Sequence, residues 1–244
     1  MDSFDLDSFK LDKAVMEIRY GKAYVLWDCY GRILSELNSK WPDLKMRDAK
    51  PNNYILRING RYDAGADLEK AYFIDLTPAS GLKEFKTDAD FFLSLKIKTL
   101  DIRELSRLGF RLVFRKKLHD KIEASESWTS MKMMSVPHGK HFNIKGKVME
   151  PNYSLRWEGE STGVRIMLNV QNRQFDLDPE PYLKEIEPIH IEKHDLVYDI
   201  DYYTLKNTLA GQLNIPEWIS QVNHLIRRDS NDFFNQMNKK AFKQ

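Results

Sequence analysis

A chain of 244 residues with 42% hydrophobic and 12% aromatic residues holds enough apolar material for a substantial core, as one large domain or two small ones. Its single cysteine, Cys29, excludes an intramolecular disulfide and a cysteine-built zinc cluster, and it fits a reducing compartment. No apolar run approaches the roughly 18 residues of a membrane span, and the opening MDSFDLDSFKLDK is too acidic and polar to read as a secretory signal or transit peptide, so the expectation is a soluble, cytoplasmic protein with no membrane partner.

The elements follow in chain order. Residues 14–20, AVMEIRY, alternate as a strand does. Residues 24–41 place Leu26, Tyr30, Ile33, Leu34, Leu37 and Trp41 at steps of three and four, the stripe of an amphipathic helix. Pro42 ends it, because a proline disfavours helical backbone in the residue before it. Strands are expected at 53–61, 71–76, 91–98 and 109–116. In 91–98, Leu93, Leu95 and Ile97 share one side while Ser94, Lys96 and Lys98 share the other. In the last, Phe110, Leu112 and Phe114 oppose Arg111, Val113 and Arg115. Residues 119–140 lack periodicity and are rich in Ser, Thr, Pro and Gly, which marks a boundary.

The second half resumes with strands near 141–149, 153–158, 163–171 and 194–203. From Pro216 the spacing is helical, with Asp229-Ser230-Asn231 a candidate break between two helices. The fold expected is α+β, with antiparallel sheets each packed by helices. Its expected division is an α+β half over 1–120, a linker over 121–140, and a second α+β half over 141–244.

The net charge is only +2, but the charges are segregated. Residues 94–121 carry nine Lys/Arg against three Asp/Glu, residues 131–147 carry four lysines and no acid, and residues 175–201 carry nine acids against two lysines. Either the basic segments form a nucleic-acid surface, or they face the acidic segment, within the chain or across a homo-oligomer.

The order of short motifs carries a resemblance. A Lys10-x-x-x-Ala14-Val-Met-Glu-Ile-Arg-Tyr strand precedes a helix ending in Trp41-Pro-Asp-Leu-Lys45; RLGFRLVFRKKL follows at 107–118, and HLIRRDSNDFFNQMN at 224–238. This arrangement resembles a sporadically distributed family of uncharacterised prokaryotic proteins with an early EIRF-like strand and a central RIGLRYINRI-like strand, matched by Arg107-Leu108-Gly109-Phe110-Arg111. The family's Asn in that strand is absent, with Phe114-Arg115 in the region. The resemblance implies no activity; the family's patchy distribution implies mobile or antiviral-defence gene clusters.

Several constellations are candidates for chemistry. His190 and His194, four apart with Glu192 between them, are candidate metal ligands, yet Ile191 stands where a zincin needs Glu, and a solvated strand edge competes. Asp199 and Asp201 share a strand face, as paired carboxylates do when they hold a divalent cation. Asp75, then Glu84 and Lys86 on an adjoining strand, would give the layout of a metal-dependent nuclease. Lys96, Lys98, Arg111 and Arg115, with Phe92 for stacking, would form a basic nucleic-acid face if their two strands are neighbours. There is no Gly-rich phosphate loop and no G-x-S-x-G elbow, and Cys29 lies inside a helix, so nucleotide hydrolysis and covalent catalysis are disfavoured. The reading that follows is a non-catalytic, cofactor-free protein-interaction or regulatory module. The alternatives are a nucleic-acid binder and a metal-dependent nuclease.

Overall fold

A computed structural model describes residues 5–50, 52–78, 81–119, 123, 152–177 and 189–241, with side chains left out at 175–177, 189–191 and 237–241. The elements are β1 (Lys10–Tyr20), α1 (Leu26–Lys40), β2 (Lys45–Lys50), β3 (Asn53–Ile58), β4 (Tyr62–Asp67), β5 (Lys70–Asp75), α2 (Lys83–Thr99), β6 (Glu104–Leu118), β7 (Asn152–Glu158), β8 (Thr162–Leu177), β9 (Ile189–Thr204), β10 (Thr208–Leu209) and α3 (Ile215–Ala241). The strands form one antiparallel sheet in the order β2-β3-β4-β5-β1-β6-β9-β8-β7, with β10 paired to β6. The fold is α+β, as expected. The two halves of the chain, however, share this sheet through β6 and β9 rather than building one each.

Alternation decides which way the sheet faces. Ala14, Met16 and Ile18 of β1, Leu108, Phe110, Leu112 and Phe114 of β6, and Leu196, Tyr198, Ile200 and Tyr202 of β9 are all buried on one side. The helices lie on that side. α1 inserts Leu26, Cys29, Ile33 and Leu37, and α2 inserts Phe85, Ala89, Phe92 and Leu93 against Phe73 and Phe110. From α3, Phe233 and Phe234 stack around Tyr198. No helix covers the opposite face among the described residues.

The strand expected at 91–98 is the second half of helix α2. The eight residues do alternate, but over the longer span the buried set is Phe85, Ala89, Phe92, Leu93 and Lys96, which is helical spacing. A lysine at a core position hid the stripe. The strand expected at 53–61 stops at Ile58, because Asn59 (φ 51°) and Gly60 (φ 67°) make the tight turn of a β3–β4 hairpin. Neither β2 nor β4 is among the expected strands: β2 carries no apolar alternation, and β4 buries Tyr62, Ala64 and Ala66 on one side, an alternation carried mostly by small residues. The strand expected at 141–149 and nearly all of the boundary at 119–140 lie outside the described residues.

Helix α3 runs unbroken through Asp229-Ser230-Asn231. Two of these polar residues have partners below: Ser230 Oγ lies 2.9 Å from the Tyr198 hydroxyl, and Asp229 accepts from the Tyr202 hydroxyl. Buried phenols need such partners. At the start of the helix, Asn214 Oδ1 accepts from the Glu217 N–H at 3.1 Å, an N-cap that Pro216 leaves undisturbed.

Candidate functional site

The open face of the sheet is a lattice of ion pairs. Arg107 Nη2 donates to Asp201 Oδ2 at 2.6 Å, and Arg111 Nε donates to Asp199 Oδ1 at 2.7 Å. Arg115 donates to both Asp195 and Asp12 at 3.0 Å, and Arg173 reaches Asp195 at 2.6 Å. The basic strand β6 thus faces the acidic strand β9 within the chain, one of the two arrangements the segregated charges allowed. Register produces this: Arg111 stands opposite Asp201 and Val113 opposite Asp199, so all the carboxylates project from the guanidinium side.

Over this lattice lies a cleft of about 270 Å³ lined by Val15, Glu17, Arg19, Arg107, Gly109, Arg111, Arg156, Arg165, Asp201 and Tyr203. It crosses β1, β6, β9, β8 and β7. Its wall is Tyr203, whose ring has the Arg107 guanidinium 4.2 Å from its centre and whose hydroxyl accepts from Arg156 Nε at 2.8 Å. Gly163 makes room for that ring, since a Cβ there would lie 2.4 Å from two of its carbons. Arg19 pairs with Glu17 at 2.8 Å, and Arg156 pairs with Glu158. Arg165 differs from the other four arginines: among the described residues its only polar contact is with the Met167 sulfur, at 2.9 Å. It also lines a smaller adjoining cleft of about 150 Å³, together with Arg111, Met167, Asp199 and Asp201. Burial pushes the Asp201 carboxyl above its usual range, with Arg107 and Arg111 pulling the other way.

The four basic residues expected to form one patch do not meet. Arg111 and Arg115 lie on the open face, but Lys96 is fully buried on the helical side, its amine 4.8 Å from the Phe92 ring centre and 4.9 Å from that of Tyr54. Lys98 is exposed on α2. Two residues apart on a helix, Lys96 and Lys98 point in different directions. Phe92 is core and has no surface for stacking.

Asp75, Glu84 and Lys86 also depart from the expected layout. Glu84 and Lys86 lie in the first turns of α2, not on a strand. Asp75 and Glu84 are brought together, but by Arg61, which donates to Asp75 at 2.8 Å and 3.1 Å and to Glu84 at 2.5 Å. A guanidinium therefore stands where a divalent cation would, while Lys86 Nζ turns away to Ser220 Oγ at 3.1 Å. Asp199 and Asp201 share a face as expected, each engaged by an arginine. His194 is 8% exposed in an interior strand instead of at a solvated edge, with Nδ1 2.8 Å from Asn172 Oδ1 and Nε2 3.5 Å from Glu192. The His190 side chain lies outside the described residues. Among the described residues, no three His, Cys, Asp or Glu side chains converge as a metal site.

Arg111 is legible in the sequence as a basic strand position, whereas Arg107 lies two residues before the strand expected at 109–116 and joins it because β6 begins at Glu104. Arg156, Arg165 and Tyr203 were not legible, because the register that joins β7, β8 and β9 cannot be read from any one strand. No family model and no curated protein matches the chain. No helix among the described residues is long and apolar enough to cross a membrane.

Proposed function

We propose that this protein is a non-catalytic interaction module that docks a partner protein on the open face of its sheet. The observation that carries the reading is the Tyr203-walled arginine cleft, set in a face without a helical cover among the described residues. Arginine and tyrosine are the side chains that most often anchor protein interfaces, through forked hydrogen bonds and large rigid contact area. The carboxylates of the cleft are held by guanidinium groups, an arrangement suited to recognition more than to acid–base chemistry.

The nucleic-acid alternative has weaker support. A backbone-tracking surface needs many spare cations, and the arginines of this face are mostly neutralised by β9 aspartates. The nuclease alternative has Arg61 between its two carboxylates. The resemblance to a sporadically distributed family supports an accessory role beside an effector in a defence-type gene cluster.

The test is affinity purification from the native host with three tagged forms: wild type, Arg156→Glu/Arg165→Glu, and a helical-face control, Arg32→Glu. The reading predicts a protein that is retained by wild type and control and lost from the open-face variant. A partner retained equally by all three, or lost only from the control, would overturn the reading.

A further inference from the structure

We infer that the cleft binds one carboxylate, an acidic side chain of the docking segment, and that Arg165 is the residue that grips it. This rests on the docking face proposed above and adds the chemistry of what enters it. The charge count sets the ligand class. Arg19, Arg107, Arg111 and Arg156 hold Glu17, Asp201, Asp199 and Glu158 respectively, and Arg165 holds no acid among the described residues. Five guanidinium groups against four carboxylates leave a single positive charge. A phosphate dianion would bring two negative charges against it, beside Asp201 and Glu17, and like charges at such range repel. One carboxylate balances the cleft.

Donor geometry agrees with this count. The guanidinium fork matches a planar carboxylate with two parallel N–H···O bonds. Arg165 lines both clefts, its Nη2 resting on the Met167 sulfur and its fork holding no acid among the described residues. Beside it the Arg107 guanidinium also lines the cleft, and its Nε is buried beneath the surface with no hydrogen-bond partner among the described residues. The Arg107 guanidinium sits over the Tyr203 ring and is bonded to Asp201, so it is already held in place. Gly109 leaves the floor of the cleft without a side chain. The cleft continues into the smaller one along the sheet, which suits an extended segment passing over and lowering a glutamate or aspartate side chain.

The experiment is an NMR titration of the arginine Nε–H signals in the full chain. The probes are N-acetylglutamine amide, inorganic phosphate, and N-acetylglutamate α-amide, whose only charge is its side-chain carboxylate. The glutamate probe is expected to give saturable shifts at Arg165 and Arg107, with the glutamine probe giving none and phosphate binding more weakly. Arg165→Gln should weaken the glutamate probe by roughly tenfold or more, the worth of a charge-assisted pair. Arg165→Lys, which keeps the charge and loses the fork, should fall between. Equal shifts with the glutamine probe, tighter binding of phosphate, or full binding by Arg165→Gln would each overturn the inference. If the carboxylate fails while the open-face variant still loses its partner, the docking face stands and only its carboxylate chemistry falls.

Discussion

Burial lowers the Lys96 pKa to about 7, its amine lying over the rings of Phe92 and Tyr54, with Cys29 and Glu36 of α1 pulling the other way. Its amine has no hydrogen-bond partner. The folded value lies below the unfolded value of about 10.4. Between these values the unfolded chain holds a proton that the folded chain does not, so stability from this group climbs as pH rises from 7 towards 10 and is at its lowest, and flat, below 7. Lys96→Met should therefore stabilise the protein at pH 7 by about 2 kcal/mol, and the gain should shrink between pH 7 and 9.5. Urea unfolding of both proteins across that range checks it. The difference between the two curves isolates Lys96 from Cys29 and the buried tyrosines, whose acids burial pushes upward in both proteins. A constant difference would mean that the amine does not titrate in the folded state.

At the scale of elements, two cross-strand pairs share one device. A tyrosine on one strand lies flat across a glycine on its neighbour, Tyr203 over Gly163 and Tyr72 over Gly65. Adding a methyl at Gly163 pushes Tyr203 away and costs about 1–3 kcal/mol. That cost should vanish when Gly163→Ala is made in a Tyr203→Ala background, because the three nearest atoms the new methyl meets all belong to that side chain. A double-mutant cycle by thermal or urea unfolding measures this, and an unchanged cost in both backgrounds would refute the packing. Which elements were legible follows from similar local physics. Strands β1, β6, β8 and β9 and helices α1 and α3 announce themselves because each buries one continuous apolar side. Helix α2 was misread because Lys96 occupies a core position and breaks the stripe, so that eight residues taken alone alternate like a strand. The β3–β4 turn had a readable signal, Asn59-Gly60, overridden by the apolar residues before it. The cleft was only half legible: Arg107 and Arg111 belong to one strand, but Arg156, Arg165 and Tyr203 reach them only through the pairing of β9 with β8 and of β8 with β7.

At the scale of the molecule, one continuous sheet separates two environments. The helices bury the apolar side, and the guanidinium–carboxylate lattice fills the other. The charges segregated along the chain are brought together in space: β6 and β9 are neighbours, and their guanidinium groups and carboxylates pair. Along this lattice Arg165, where the two clefts adjoin, is left without an acid among the described residues. The most direct test of this account is arginine footprinting with phenylglyoxal, read by mass spectrometry, on the free protein and on its purified complex with the partner that wild type retains. The account predicts that Arg156 and Arg165 are modified in the free protein and protected in the complex, while Arg32 on α1 reacts equally in both. Protection of Arg32, with Arg156 and Arg165 left reactive, would place the partner on the helical side and contradict the account.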